Sequence, residues 1–434
     1  MSKLALLGGT PVRSQKDLFP SYNTIGTEEE VAVQKILKTG NLSQFLGAWH
    51  SDFDGGPTVK EFEKLWAEKF QVAYATSVNS NTSGLFAAIG ACEIQPGDEV
   101  IVSPYTMSAS ALAPMIYGGV PVFADIDKDS FCMDPDSIRS KITPLTKAIL
   151  VVHIFGNVAN MVEITKIAKE FNLLVIEDCA QAPGATHNGV PVGLFGDIGV
   201  FSLNYHKHIH TGEGGVIVTN SSKLNDKIRL IRNHGENIVG PRGDSNLINH
   251  WGYNFRMTEI EAAIGIEQLK KLDILIEQRI KNVEIIESGL SQIEGLTMPS
   301  KDAMTKHVYY VHAIKYDTSK FENVHRNRFV EALKQELPSA YLRETAPLLG
   351  AGYVKPLYLQ PLYQQRAHPC SFNCKSYSGN VDYSEGICPV AENMHFHTLL
   401  THEFMRPGMQ EQDIEHVVEA FIKVSDNISD LIVT

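Results

Sequence analysis

The sequence of 434 residues predicts a layered α/β domain with a mostly parallel sheet, followed by a smaller α+β domain. Two observations predict this fold class. Short apolar runs alternate with amphipathic helical patterns along most of the chain, and this alternation ends after Trp251. Because the runs are apolar on both faces, they are typical of buried parallel strands covered by helices.

The amphipathic segments carry their own start and stop signals. The first predicted helix begins at Thr27, which forms a capping box with Glu30, and ends at Gly40. Another begins at Asn160, with Glu163 three residues further on. Its apolar stripe consists of Ile164, Ile167, Ala168 and Phe171.

The strands between these helices are predicted at VIVSP (100–104), AILVVHIFG (148–156), LLVIED (173–178) and GVFSL (199–203). A long helix, capped by Thr258 and Glu261, then leads out of the large domain. We therefore place the two domains at residues 1–274 and 275–434. In the second domain, VYYVHAIKY and GICPVAE are predicted strands, and the aperiodic segment 363–383 is a predicted long loop.

The composition excludes several classes of protein. The formal net charge of −12 leaves no basic field for nucleic acid. The N-terminal apolar run is too short for a signal peptide, and no later run is long enough to span a membrane. The six cysteines are scattered and do not form a disulfide framework. We expect a cytoplasmic protein that binds neither nucleic acid nor membrane.

Polar residues at strand ends form the candidate site, because ligands of open α/β sheets bind beyond the carboxyl ends of the strands. Asp178 closes one strand, where a helix cap or surface turn is the alternative interpretation. His153 lies in another, where a buried histidine with satisfied hydrogen bonds is the alternative. Residues 80–84 begin an apolar helix whose backbone N–H groups favour an anion such as phosphate, although these residues taken alone are explained better by a plain N-cap.

The stretch NYHKHIHTGEGG (204–215) places His206, His208 and His210 around Lys207. No cysteine or acidic residue lies among the histidines, so a metal site is disfavoured, and the phosphate-loop motif GxxxxGK[ST] is absent. Lys207 remains as a nucleophile or base. A lysine, a strand-end aspartate and a helix-start anion site together fit pyridoxal 5'-phosphate (PLP), with no metal.

The chain resembles the sugar aminotransferases of the DegT/DnrJ/EryC1/StrS family. The motifs that carry the resemblance are EDCAQA (177–182), FSLNYHK (201–207), GEGG (212–215), WGYNFRM (251–257) and CPVAE (388–392). The resemblance implies the fold of type I PLP-dependent transferases, in which helices enclose a mostly parallel seven-stranded sheet. It also implies a homodimer whose active sites are shared between the subunits.

The resemblance further implies a role for individual residues. Lys207 matches the lysine that forms the Schiff base with PLP, and Asp178 matches the partner of the pyridine nitrogen. Gln181 matches a residue that lies against the ring or its phenolic oxygen. Phosphate contacts are implied for Ser202, Thr82, the backbone at Asn81, and Asn254 from the partner subunit. Two positions depart from the family pattern: Asn81 replaces a glycine, and Met107 replaces an aromatic residue that stacks on the ring.

The activity implied is transfer of an amino group from an amino acid, glutamate or else glutamine, to a keto-sugar. A nucleotide-linked acceptor is expected, in cell-surface polysaccharide (including lipopolysaccharide) or secondary-metabolite synthesis; a cyclitol, a keto-sugar acid or a small phosphorylated ketone is the alternative. Candidates for substrate contact are His153, His206, His208 and His210. A candidate anion-binding patch consists of Arg229, Arg232, Arg242 and Lys301.

Two rival functions remain open at this point. Some relatives are PLP-dependent sugar dehydratases, in which a histidine replaces the lysine or an iron–sulfur cluster assists. The histidines beside Lys207 favour the first version, and Cys370, Cys374 and Cys388 are the candidate cluster ligands for the second. Their spacing matches no common cluster motif. The other rival is a regulator that senses PLP without turnover, although no additional DNA-binding domain is visible.

Overall fold

The computed structural model describes residues 3–14, 16–244, 246–300, 302–338, 348–368, 371 and 375–432. The α-helices are α1 (Thr27–Thr39), α2 (Pro57–Phe70), α3 (Asn81–Ala91), α4 (Ala109–Met115), α5 (Pro135–Ser140), α6 (Met161–Phe171), α7 (Ser222–Arg232), α8 (Val239–Arg242), α9 (Glu259–Leu290), α10 (Arg326–Glu336), α11 (Pro361–Gln364), α12 (Pro389–Asn393) and α13 (Glu411–Asp426). The strands are β1 (Tyr74–Val78), β2 (Glu99–Val102), β3 (Val120–Phe123), β4 (Thr146–Val152), β5 (Leu174–Asp178), β6 (Thr186–His187), β7 (Val190–Pro191), β8 (Ile198–Ser202), β9 (Gly215–Thr219), β10 (Leu296–Thr297), β11 (Thr305–Lys306), β12 (His312–Tyr316), β13 (Leu349–Ala351) and β14 (Leu399–His402).

A seven-stranded sheet forms the centre of the fold, in the order β1-β9-β8-β5-β4-β2-β3. Strands β8, β5, β4, β2 and β3 pair in parallel, and β9 pairs antiparallel with both β8 and β1. The four strands predicted from sequence all lie in this sheet and are almost entirely buried. The α/β fold class is therefore confirmed, and the carboxyl ends of β4, β5 and β8 meet along one edge.

The helix ends test the predicted caps. At α9 the capping box is confirmed: Glu261 N donates to Thr258 Oγ1 at 3.2 Å, and Thr258 N donates to Glu261 Oε2 at 2.7 Å. At α1 the predicted box is wrong by one residue, since Gly26 is the N-cap and its N–H donates to Glu29 Oε2 at 2.7 Å. A glycine leaves the cap without a side-chain acceptor, so only the carboxylate half of the motif forms.

Helix α6 begins at its predicted cap, where Asn160 Oδ1 accepts from Glu163 N at 3.3 Å. Three members of its predicted apolar stripe are buried. Phe171 is not, because it lies at the exposed end of the helix beside the Arg139 guanidinium, which is 5.5 Å from its ring centroid. The predicted stripe is thus one residue too long.

Two apolar cores hold the molecule together, and the long helix α9 contributes to both. Its first half packs against the seven-stranded sheet through Leu269, Leu272 and Ile276. Its second half packs through Val283 and Ile286 on a second core, which is covered by a sheet of order β10-β12-β14-β13. The predicted division between residues 274 and 275 falls inside this continuous helix and remains a prediction.

The C-terminal segments differ partly from expectation. The strand predicted in VYYVHAIKY is present as β12, but GICPVAE is not a strand, because Pro389 occupies the first turn of helix α12. In the segment 363–383, Tyr383 Oη donates to Pro121 O at 2.6 Å, so the end of this segment at Tyr383 covers the edge strand β3. Lys301, Cys370 and Cys374 lie outside the described residues.

Candidate active site

A cavity of about 320 Å³ opens at the carboxyl ends of β4, β5 and β8, beside the start of α3. It is lined by Ser80, Asn81, Thr82, Thr106, Met107, Ala109, Val152, Asp178, Ala180, Gln181, Ser202, Asn204, His206, Lys207, Glu213, Tyr310 and Tyr353. The structure therefore brings most of the predicted site residues to one place. This is the edge of the sheet at which α/β proteins bind ligands.

Asp178 ends β5 and is only 4% exposed. Ser110 Oγ donates to its Oδ2 at 2.8 Å, while Ala180 N and Asn81 Nδ2 donate to its Oδ1 at 3.1 and 3.3 Å. Burial raises the pKa of Asp178, and these hydrogen bonds together with nearby Lys207 oppose that rise. Nothing in the sequence pattern predicted that Ser110 would lie here.

Lys207 lies in the turn that follows β8, where its N–H donates to Asn204 O at 2.9 Å. Its Nζ lies 4.3 Å from the centroid of the Tyr310 ring. Burial lowers the pKa of Lys207, and the neighbouring Asp178 carboxylate opposes that change. A larger fraction of the lysine is consequently a neutral amine at neutral pH, which is the form that attacks an aldehyde.

The start of α3 lies at one end of the cavity, where Ser80, Asn81 and Thr82 line it. Ser80 caps the helix by accepting from Ser83 N at 3.1 Å, which leaves the first backbone N–H groups near the cavity. The first residue of β9, Gly215, lies against the loop at Ser80. A Cβ atom at Gly215 would lie 2.8 Å from the Ser80 backbone. Glycine is therefore required where the GEGG motif meets this loop.

The residues that line the cavity carry chemical groups that suit PLP. Hydroxyl groups of Thr82 and Ser202 and the backbone at Asn81 suit a phosphate, while a buried carboxylate and a lysine with a lowered pKa face the same space. The Asn81 Oδ1 atom is buried without a hydrogen-bond partner among the described residues. It offers an acceptor that the protein itself leaves unused.

Only one of the four candidate histidines, His206, lines the cavity. The substrate contact predicted for His153 is wrong: its Nε2 lies 2.9 Å from Glu177 Oε2, and its Nδ1 accepts from Ala159 N at 3.2 Å. His208 is also fully buried, with Nε2 at 2.9 Å from the Val308 carbonyl oxygen, so its prediction is wrong too.

The third histidine outside the cavity is His210, whose Nδ1 accepts from Gly212 N at 3.3 Å. It is buried beside the turn after Lys207 and does not line the cavity of its own chain, so its predicted substrate contact remains a prediction. The alternation of a strand would have placed these histidines on one face, but the segment folds as a turn.

Met107 lies at the mouth of the cavity and is 63% exposed. Asn254 does not line the cavity of its own chain, and its carbonyl oxygen accepts from Asn79 Nδ2 at 3.4 Å. A contribution from a partner subunit would require another copy of the segment around Asn254. Its predicted phosphate contact therefore remains a prediction.

The predicted anion-binding patch is wrong for its three described arginines, because carboxylates already pair with them. Arg232 Nη1 lies 2.6 Å from Glu63, and Arg229 Nη1 lies 2.9 Å from Asp54. Arg242 pairs with Asp226 through two nitrogens. None of the three lines the cavity.

Several cavity residues were not predicted as site residues. Glu213 belongs to the quoted GEGG turn, where its carboxylate accepts from Asn204 Nδ2 at 3.0 Å, so closer attention to that motif could have found it. Tyr310 and Tyr353 come from the C-terminal part of the chain, far from every motif that pointed to the cavity. Only the folded chain places them beside Lys207.

Sequence comparison places the chain in a family. Residues 38–422 match the model of the DegT/DnrJ/EryC1/StrS aminotransferase family, so the chain belongs to this family. Its members use PLP, and the protein is accordingly a PLP-dependent aminotransferase. Among the described residues, no helix is both long and apolar enough to cross a membrane.

Individual relatives agree with this assignment. The spore coat polysaccharide biosynthesis protein SpsC of Bacillus subtilis is 33% identical, over 92% of this chain and 95% of its own length. GDP-perosamine synthase of Escherichia coli O157:H7 is 37% identical, over 69% of this chain and 81% of its own. The crystal structure of an aminotransferase from Psychrobacter cryohalolentis aligns with a TM-score of 0.81 at 28% identity, covering 95% of this chain and 100% of the other.

Proposed function

We propose that the protein transfers an amino group from L-glutamate to a nucleotide-linked keto-sugar, with Lys207 and Asp178 as its catalytic residues. The observation that carries the proposal is that both side chains line one cavity together with the start of α3. A lysine nucleophile, a ring-nitrogen partner and an anion site are the three groups that a PLP transaminase needs.

The residues of the cavity divide the binding of PLP among them. Lys207 would bind the aldehyde carbon, Asp178 would pair with the pyridine nitrogen, and Gln181 and Met107 would contact the ring. The phosphate would be held by Asn81, Thr82, Ser202 and the partner's Asn254. When bound, PLP supplies an electron sink that stabilises the negative charge left when a proton leaves the substrate carbon.

Lys207 moves the proton in both half-reactions. With PLP bound, its amine would take a proton from the donor carbon as a general base and would then give it back as a general acid. The lowered pKa of Lys207 favours the neutral amine that accepts the proton in the first of these transfers. The Tyr310 ring beside Nζ stabilises the ammonium form between the two steps.

The acceptor is proposed from the relatives and from the open mouth of the cavity. GDP-perosamine synthase is named for a nucleotide-linked sugar, and SpsC for polysaccharide synthesis. His206 and Glu213 line the same cavity and offer groups for sugar hydroxyls. We propose a role in cell-surface polysaccharide synthesis, such as lipopolysaccharide, or in secondary metabolism, in the cytoplasm.

The proposed assembly is a homodimer with shared active sites. Large apolar side chains remain exposed on the isolated chain, including Trp49 at 63% and Trp251 at 50%. Such exposure is typical of surfaces that a partner covers. Trp251 belongs to the segment that contains Asn254, which supports a partner contribution from this segment.

The test is an absorbance spectrum of the protein loaded with PLP, followed by glutamate without an acceptor. We expect a visible band that glutamate converts to the pyridoxamine phosphate spectrum, and that is absent in Lys207→Ala. Lys223→Ala, at an exposed lysine of α7, is the matched control and should behave as the wild type. A band that glutamine converts and glutamate does not would reassign the donor, and a band retained in Lys207→Ala would overturn the lysine assignment.

The acceptor is tested by comparing turnover of a nucleotide-linked keto-sugar, the same keto-sugar without its nucleotide, and a keto-cyclitol. A higher kcat/KM for the nucleotide-linked form is expected. A preference for the cyclitol, with the donor half-reaction intact, would contradict the proposed acceptor alone.

A further inference from the structure

Tyr353 forms part of the cavity wall that no sequence motif predicted. It lies two residues after β13 and lines the cavity together with Lys207 and Gln181. Its hydroxyl oxygen accepts a hydrogen bond from Gln181 Nε2 at 2.9 Å. This contact joins the C-terminal sheet to a residue of the EDCAQA motif.

The direction of that hydrogen bond follows from the other end of the Gln181 side chain. Phe155 N donates to Gln181 Oε1 at 2.7 Å, and a backbone N–H has only a donor to offer. The amide orientation is thereby fixed, and the nitrogen faces Tyr353. Because the Tyr353 oxygen accepts from Gln181, its own proton is left for a different acceptor.

The Tyr353 hydroxyl keeps its proton near neutral pH, because burial raises the pKa of Tyr353 well above its usual range. Gln181 Nε2 also carries a second N–H. Two neutral donors therefore lie side by side in a cavity that also contains a lysine. Paired donors of this kind bind an oxygen that is negatively charged or becomes so.

The surrounding residues hold Tyr353 in place. Its ring packs edge-on against Phe155 with centroids 5.1 Å apart, and its backbone N–H donates to Tyr105 Oη at 2.9 Å. Tyr105 is fully buried, and Phe155 adopts a left-handed φ of 59° that aims its N–H at Gln181. Residues other than glycine are uncommon in the left-handed region, and they persist where the surrounding structure fixes the backbone.

We propose that Tyr353 Oη–H and the second Nε2–H of Gln181 form a two-donor site for an anionic or carbonyl oxygen in the cavity. The inference rests on the proposed function, since that oxygen belongs either to the phenolate of PLP or to a substrate. Tyr353 is then a direct ligand and not only a wall residue.

The experiment compares Tyr353→Phe with Tyr358→Phe. The second variant is the matched control, because Tyr358 is a buried tyrosine of the same segment whose hydroxyl hydrogen bonds to Glu392, and it does not line the cavity. Both variants keep the aromatic ring. The two measurements are the pH midpoint of the visible band in the PLP-loaded protein, and the KM of each substrate.

If the oxygen is the phenolate, Tyr353→Phe makes that oxygen more basic and moves the pH midpoint up by about one unit, the tenfold change expected for one hydrogen bond to a charged group. If it belongs to a substrate, the midpoint is unchanged and one KM rises about tenfold. Either result supports the site, provided that Tyr358→Phe matches the wild type.

The site is refuted if Tyr353→Phe has the same pH midpoint as Tyr358→Phe and both KM values lie within about twofold of those of Tyr358→Phe. Should Tyr353→Phe not fold, Gln181→Met removes the other donor at similar length and takes its place, with the same expected results. Failure of the proposed function is distinguishable, since the wild type itself would then lack the visible band or turnover with glutamate.

Discussion

Two neighbouring carboxylates at the end of β5 have opposite surroundings. Asp178 points into the cavity and interacts with the side chains of Ser110 and Asn81. Glu177 is fully buried on the other face of the strand, where it accepts from backbone N–H groups of residues 193, 195 and 196 at 2.6–2.8 Å. Successive side chains of a strand point to opposite faces, so a shift of one residue exchanges the two environments.

The difference teaches that burial of a carboxylate does not define its role. Among the described residues, the Glu177 carboxylate is contacted by three backbone N–H groups of one loop and by the His153 ring, so it fixes the loop that follows β7. The ligand atoms of His153, Glu177 and Cys179 also lie within 4.8 Å of one another. Because the loop N–H groups already use both Glu177 oxygens, this cluster is explained as a structural one.

The largest difference between the two carboxylates is expected in catalysis. Asp178→Asn should lower kcat/KM by about 1,000-fold, because a neutral amide does not hold the protonated ring nitrogen as a carboxylate does. Steady-state kinetics with glutamate and an acceptor measures the loss. An Asp178→Asn enzyme within tenfold of the wild type would show that the carboxylate is not the ring partner.

The reverse is expected for Glu177→Gln, which should reduce the free energy of unfolding by about 3 kcal/mol while the folded enzyme keeps most of its kcat. The new amide NH2 would face backbone N–H donors of the loop at 193–196 without an acceptor between them. Urea unfolding measures the change. Glu163→Gln, at an exposed position of α6, is the control and should have no measurable effect.

The comparison also shows how much the sequence could predict. The apolar strands placed Asp178 at a strand end, and the motif after β8 placed Lys207 in the next turn, because both depend on local patterns. The C-terminal tyrosines Tyr310 and Tyr353 reach the cavity through packing between segments far apart in sequence, which no local period encodes. The CPVAE segment differs from its predicted strand for a local reason, since Pro389 suits the first turn of a helix.

The histidines also separate residues that stabilise the fold from residues that contact substrate, with smaller expected effects. His153→Gln should reduce the free energy of unfolding by about 1 kcal/mol, through its bonds to Glu177 and Ala159, and leave both KM values unchanged. His206→Ala should instead raise the KM of the acceptor and leave stability unchanged, because His206 lines the cavity. Steady-state kinetics measures the KM values of the two variants, and urea unfolding measures their free energies of unfolding. A raised KM in His153→Gln alone would restore the contact that the structure contradicts.

The smallest effect is expected in the pH dependence of stability of the cofactor-free protein. Because burial raises the pKa of Asp178, the folded state binds a proton there more tightly than the unfolded chain does. The stability that this group contributes is complete below the ordinary aspartate pKa of about 4 and is lost as pH rises through the raised value. Asp178→Asn removes the ionisation, so its free energy of unfolding should rise relative to the wild type over that window.

The hydrogen bonds from Ser110 and Ala180 oppose part of the burial effect and keep the difference small. Urea unfolding at a series of pH values measures it, and a difference of opposite sign would mean that these hydrogen bonds outweigh burial.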